Sequence, residues 1–83
     1  MEPTLKRKGR IAKNQEGNLV LINEDNQGFR VDEVIAAVWY ESDGKTISQL
    51  VDKFSEEDKE NKELIRKDIE AIIEKLKEVK LVV

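Results

Sequence analysis

The stretch GFRVDEVIAAVWYESDG, residues 28–44, decides the predicted fold because it joins a strand directly to a helix. Residues 29–31 form a short apolar and aromatic run that is typical of a strand. Asp32 follows at once and is a good helix N-cap, and Gly44 can supply the turn that ends the helix. Between them the apolar side chains recur at helical spacing, at Val34, Ile35, Val38 and Trp39. The sequence therefore predicts a strand that enters a helix with no linker.

Two further strands are predicted before this stretch. One surrounds Ile11, and the other is LVLI, residues 19–22, a continuous apolar run that is either buried on both faces or central in its sheet. Polar turns rich in Asn and Gly separate the strands at residues 14–18 and 23–28. Short apolar strands joined by such turns predict a small antiparallel meander.

Two further helices are predicted after Gly44. Thr46 or Ser48 caps a short second helix with apolar residues at Ile47, Leu50, Val51 and Phe54. The charged residues 55–62 form either a loop or the first turns of the third helix. That helix has the clearest apolar stripe in the chain, at Ile65, Ile69, Ile72, Ile73, Leu76 and Val79. The final residues, LVV, are an apolar terminus that must pack or pair.

This order of elements predicts an α+β fold, a three-stranded antiparallel β-meander followed by three helices. A chain of 83 residues is expected to form one domain. We expect residues 1–8 to be a flexible basic tail and residues 9–83 to be the single domain.

The composition argues against most enzyme classes. The chain has no cysteine and no histidine, which excludes disulfides, thiolate metal sites and Ser-His or Cys-His catalysis. Its adjacent carboxylates lie in predicted turns and charged loops, where they are expected to be solvated, and its four glycines form no phosphate-binding loop. We therefore expect no catalytic residue, no metal site and no cofactor.

The chain also lacks a signal peptide and an apolar run long enough to span a membrane, which predicts a cytoplasmic location. Heavy use of Glu and Lys favours a thermophilic source.

The charge distribution argues against the alternative that the chain binds DNA. Residues 1–31 hold six basic and four acidic residues, with KRKGR at residues 6–10, whereas residues 32–83 hold nine basic and fourteen acidic residues. Three helices after strands are compatible with a winged-helix DNA-binding regulator. However, the second and third helices are rich in acids and would repel DNA, so nucleic acid is disfavoured as a partner.

One segment resembles a known family signature. RVDEVIAAVWYESDGKTISQLVDKF, residues 30–54, resembles that of PqqD-like proteins, also called RiPP recognition elements. The pair Val31-Asp32 stands where Leu-Asn is usual, and Asp43-Gly44 matches the turn. DIEAIIEKLKEVKLVV, residues 68–83, is similar to the family's last helix and aliphatic ending, with Lys80 in place of the usual Gly. The resemblance covers residues 17–83.

The resemblance implies a non-enzymatic, winged helix-turn-helix-like peptide chaperone connected with PQQ biosynthesis. In such proteins the leader of a ribosomally made precursor peptide adds as a strand to the third β-strand, and its apolar side chains enter a groove beside the last helix. The domain then presents the precursor to a radical SAM enzyme or another maturation enzyme. Carried onto this sequence, the peptide-binding residues are Phe29, Arg30 and Val31 on the strand and Ile65, Arg66 and Ile69 on the helix.

Physical reasoning supports such a site. A three-stranded meander leaves an unpaired backbone edge, and strand addition uses that edge for affinity and side-chain pockets for specificity. The linker-free corner at residues 31–32 would hold the third strand rigidly against the first helix, so the groove would be preformed. A structural protein-interaction subunit is a further alternative, and an exposed edge strand also allows a homodimer.

Overall fold

The computed structural model describes residues 2–83 and shows the predicted α+β architecture. Three strands, β1 to β3, are followed by three α-helices, α1 to α3, with one 3-10 turn before α3. The strands pair antiparallel in the order β1-β2-β3. Their bounds are Arg10–Lys13, Leu19–Ile22 and Gly28–Val31, and those of the helices are Glu33–Glu41, Ile47–Phe54 and Lys62–Glu78. The predicted fold class is therefore confirmed.

The helices pack against one face of the sheet, over β2 and β3, and leave β1 exposed. Leu21 at the centre of β2 is fully buried and lies opposite Ile11 on β1 and Phe29 on β3. Strand β2 is thus central in the sheet, which is one of the two arrangements its apolar sequence predicted. The core around Leu21 consists of Leu5, Val38, Trp39, Leu50, Val51, Ile69, Ile73, Leu76, Leu81 and Val82.

The caps expected from the sequence are present. The Asp32 side chain accepts a hydrogen bond of 2.8 Å from the backbone N–H of Ile35, so the N-terminal end of α1 is fixed one residue after β3 ends. Thr46 rather than Ser48 caps α2, and it forms a reciprocal capping box with Gln49. These caps satisfy backbone donors that a helix start leaves without internal partners.

The charged segment before α3 is mostly a loop. After α2 ends at Phe54 the chain turns, makes the single 3-10 turn Lys59–Asn61 and enters α3 at Lys62. Of the two arrangements that the sequence left open for residues 55–62, the structure shows the loop. Among residues 2–83, no helix combines the length and apolar character needed to cross a membrane.

The two ends of the chain pair with each other. Lys6 and Val83 exchange backbone hydrogen bonds of 2.8 and 2.9 Å, and the N–H of Lys8 donates to the carbonyl of Leu81 at 2.9 Å. The indole N–H of Trp39 donates to the carbonyls of both Lys8 and Leu81. The prediction that the C-terminal LVV segment packs or pairs is confirmed.

This pairing differs from the flexible tail expected over residues 1–8. Leu5 is only 4% exposed and belongs to the core, and its backbone bonds to residues 44 and 45 of the α1–α2 turn. The sequence showed a charged segment but not the long-range backbone partners that hold it. We therefore propose that the single domain begins at about Leu5 rather than at residue 9.

Candidate functional site

Strand β3 is an edge of the sheet. It pairs with β2 on one side, and no other strand within residues 2–83 pairs with its other side. An edge strand of this kind presents backbone N–H and C=O groups that a further strand can bind. The corner with α1 keeps this edge short, at four residues from Gly28 to Val31.

A groove of about 650 Å³ runs between β3 and the C-terminal half of α3. We call it the β3–α3 groove. Apolar side chains from β3, α1, α3 and the C-terminal segment form most of its surface, and four charged side chains also line it. The apolar lining residues are Phe29, Val31, Ile35, Ala71, Ile72, Leu76, Val79 and Leu81.

Near one end of the groove, the β2–β3 turn contacts the end of α3. The buried amide of Asn23 donates to the carbonyl of Val79 at 2.8 Å, and Lys80 pairs with Asp25 at 3.3 Å. These contacts place the start of β3 beside the end of α3. The groove therefore extends from these contacts toward Ile35 at the start of α1.

The four charged lining residues are two of each sign: Arg30 and Lys75, and Glu74 and Glu78. None of them forms a salt bridge within the part of the chain that the structure describes. Their charges can therefore contact a charged ligand without first breaking an internal pair.

Ion pairs do form elsewhere on the surface. On the α2–α3 side, a hydrogen bond from Lys62, and then its positive charge, hold the pKa of Asp52 below its usual range. Within residues 2–83, no group of three or more Asp, Glu, His or Cys side chains is placed to hold a metal ion.

The structure separates the site residues proposed from the sequence into two sets. Phe29, Arg30 and Val31 all line the β3–α3 groove. The three helix residues lie nearer the start of α3 and are not among those that line it: Ile65 and Arg66 are half-buried, and Ile69 is a core residue at 3% exposure. Their role in peptide binding stays a prediction.

Sequence reasoning did not assign the α3 residues that do line the groove. Ala71 and Lys75 are one helical turn apart, and Val79 is one turn further on. The sequence contained a signal for this face, because Ala71 is an apolar residue that lies off the main core stripe of α3. That signal could indicate a second face but not the strand opposite it.

A family model described as Coenzyme PQQ synthesis protein D (PqqD) matches residues 18–82. The chain belongs to the PqqD family. No curated protein and no solved structure matches it. Membership confirms the resemblance and implies an accessory or peptide-binding role in PQQ biosynthesis.

The PqqD match begins one residue before β2 and ends one residue before the C-terminus. Both walls of the β3–α3 groove therefore lie within the part of the chain that is similar to the family. Strand β1 and the basic KRKGR segment lie outside it.

Proposed function

We propose that this PqqD-family protein captures the leader segment of a ribosomally made precursor peptide as a fourth strand on β3 and presents it to a radical SAM maturation enzyme. The observation that carries the proposal is the unpaired edge of β3 lying beside an apolar groove of about 650 Å³. Backbone hydrogen bonds to the edge would supply affinity for any extended chain, and the groove would select its side chains.

The dimensions of the groove suit a short extended segment. Strand β3 has four residues, which corresponds to about 13 Å of extended chain. The groove-lining part of α3, residues 71–79, spans about 12 Å of helix. Since alternate side chains of a strand point to the same face, a segment of this length would direct two side chains, at positions i and i+2, into the groove.

The lining chemistry favours apolar side chains at those two positions. Phe29, Ile72 and Val79 offer apolar contact, and burial of such surface stabilises a complex by about 25 cal/mol per Å² before the costs of association. Arg30 and Lys75 can contact acidic leader residues at the groove rim.

The groove is held in shape before any peptide binds. Asp32 fixes the strand-to-helix corner, and Asn23 ties the β2–β3 turn to the end of α3. A preformed site lowers the ordering cost on the protein's side of the complex. These contacts support capture without a large rearrangement of the domain.

A matched pair of substitutions tests the proposal. Ala71→Trp would fill the groove from the exposed face of α3, whereas Glu70→Trp adds the same side chain one residue away, at a position that does not line the groove. The assay is fluorescence anisotropy with a labelled leader peptide of a precursor peptide of PQQ synthesis. We expect A71W to weaken binding by at least about tenfold, as for a central interface residue, and E70W to stay within about twofold.

NMR provides an independent measurement. Titration with the same peptide should shift the backbone amides of residues 28–31 and 71–79 most strongly. Equal affinity of A71W and wild type, or shifts centred on other parts of the chain, would contradict capture in the β3–α3 groove.

A further inference from the structure

The face of the sheet that points away from the helices forms a second surface, which we call the outer sheet face. The pairing register places six residues on it, because Arg10 lies across from Ile22 and Gly28, and Ala12 from Val20 and Arg30. A Cβ built on Gly28 would lie 3.2 Å from Val20 and 4.0 Å from Ile22, which confirms that these residues share one side.

The outer sheet face has an apolar centre that the helices do not cover. The core cluster includes Leu21 and contacts Phe29, whereas Val20 and Ile22 lie outside it and are half-buried. Ala12 is exposed. Strand β2 is therefore apolar on both faces although, within residues 2–83, helices pack against only one. An antiparallel sheet face that is meant for water is normally polar, so this composition indicates a surface that a partner covers.

The two charged side chains on this face are both basic. Arg10 and Arg30 flank it on the two edge strands, the face carries no carboxylate, and neither arginine forms a salt bridge within the described residues. Arg10 also lines a neighbouring pocket of about 360 Å³ with Arg7, Lys8 and Glu24, in which Lys8 and Glu24 form an ion pair of 3.7 Å. The chain as a whole has a net charge of −3, so this basic surface is local.

The charges limit what can cover the face. A second copy of this chain placed face to face would bring four guanidinium groups together, and the face itself has no carboxylate to pair with them, which is unfavourable. Duplex DNA needs a broad basic surface, whereas Glu24 and Asp25 lie in the adjacent β2–β3 turn. A protein surface with apolar side chains at its centre and carboxylates at its rim complements the face in both respects.

We propose that the outer sheet face docks the modifying enzyme through an apolar patch rimmed by Asp or Glu side chains on that enzyme. This inference rests on the proposed function, since it names the surface through which the peptide-loaded domain meets its enzyme. The β3–α3 groove opens beside α3, on the helix-covered side of the sheet. Arg30, at the β3 edge, borders both surfaces, whereas Arg10, Val20 and Ile22 do not line the groove, so one domain can hold peptide and enzyme at once.

Two matched charge reversals on β1 test the docking surface. Arg10→Glu alters the outer sheet face, and Lys13→Glu makes the same charge change on the same strand at a position that pairs with Leu19, on the opposite face. The probe is a purified radical SAM enzyme of PQQ synthesis, and binding is measured by biolayer interferometry at low and high salt. We expect R10E to weaken binding by about fivefold or more at low salt and K13E to stay within about twofold, with the wild-type affinity falling as salt rises.

A substitution at the apolar centre completes the test. Val20→Ser should also weaken enzyme binding by about fivefold or more, and the affinity for leader peptide should stay unchanged in V20S and R10E. An enzyme that binds all three variants like wild type overturns the docking surface while leaving capture by the groove intact. If A71W abolishes peptide binding but R10E loses only its attachment to vesicles of anionic phospholipid, the face is a membrane contact and the proposal is overturned. If peptide binds nowhere on the domain, the proposed function fails first.

Discussion

Asn23 is the residue whose removal should reveal most about how the groove is built. Its side chain is completely buried and makes four hydrogen bonds. The amide donates to the side chain of Gln27 and to the carbonyl of Val79, and the oxygen accepts from the backbone N–H groups of Asp25 and Gln27. We predict that Asn23→Ala destabilises the fold and weakens the contact between the β2–β3 turn and the end of α3.

The magnitude follows from those four bonds. A neutral hydrogen bond contributes about 0.5–1.5 kcal/mol net, so their sum would approach about 4 kcal/mol. Residues 25 and 27 are exposed, and water can satisfy their N–H groups in the variant, whereas the Val79 carbonyl is half-buried. We therefore expect N23A to lower the free energy of unfolding by about 2–3 kcal/mol. For a domain of this size that loss corresponds to a fall in Tm of about 10–20 °C.

Urea denaturation followed by circular dichroism measures this loss, with Gln27→Ala as the matched control. Q27A removes only one of the four bonds, at an exposed residue, and should cost less than about 1 kcal/mol. N23A should also weaken leader-peptide binding, because the tie to Val79 holds α3 beside β3. Equal losses of unfolding free energy in N23A and Q27A, or a loss in N23A below about 0.5 kcal/mol, would refute the conclusion that this amide holds α3 beside β3.

Three other substitutions test contacts elsewhere. Trp39→Phe removes the indole N–H that joins the two ends of the chain and should lower the free energy of unfolding in urea by about 1–3 kcal/mol. Gly9→Ala should cost more than about 2 kcal/mol in the same assay, because φ is +82° and the new Cβ would clash with the backbone of Ile22. Lys62→Met should raise the pKa of Asp52 toward its ordinary value of 3.8 in a carboxyl NMR titration. Because a lowered pKa in the folded state favours folding above that pKa, the variant should also lose less stability on acidification.

The local elements could be predicted from the sequence because their causes are local. Short apolar runs and turns defined the meander, Asp32 marked one helix start and Thr46 or Ser48 another, and a period of 3–4 residues marked α3. The family resemblance indicated a strand edge beside α3, and Phe29, Arg30 and Val31 do line the groove there.

The part of α3 that faces β3 could not be predicted in this way. Helical periodicity shows which face of a helix is apolar but not which turn lies opposite a given strand. The tie between Asn23 and Val79 sets that position, and it joins residues 56 apart in the chain. As a result, Ala71, Lys75 and Val79 line the groove, whereas Ile69 packs in the core.

The sequence alone thus determined the order and type of the elements, the linker-free corner between β3 and α1, and the membership of the PqqD family. Only the tertiary structure decided that the chain ends pair, that the groove lies along the second half of α3, and that one apolar face of β2 is left uncovered by the helices. The physical reason is the range of the interactions. Caps, turns and periodicity act within a few residues, whereas these three features depend on contacts between segments that are distant in the chain.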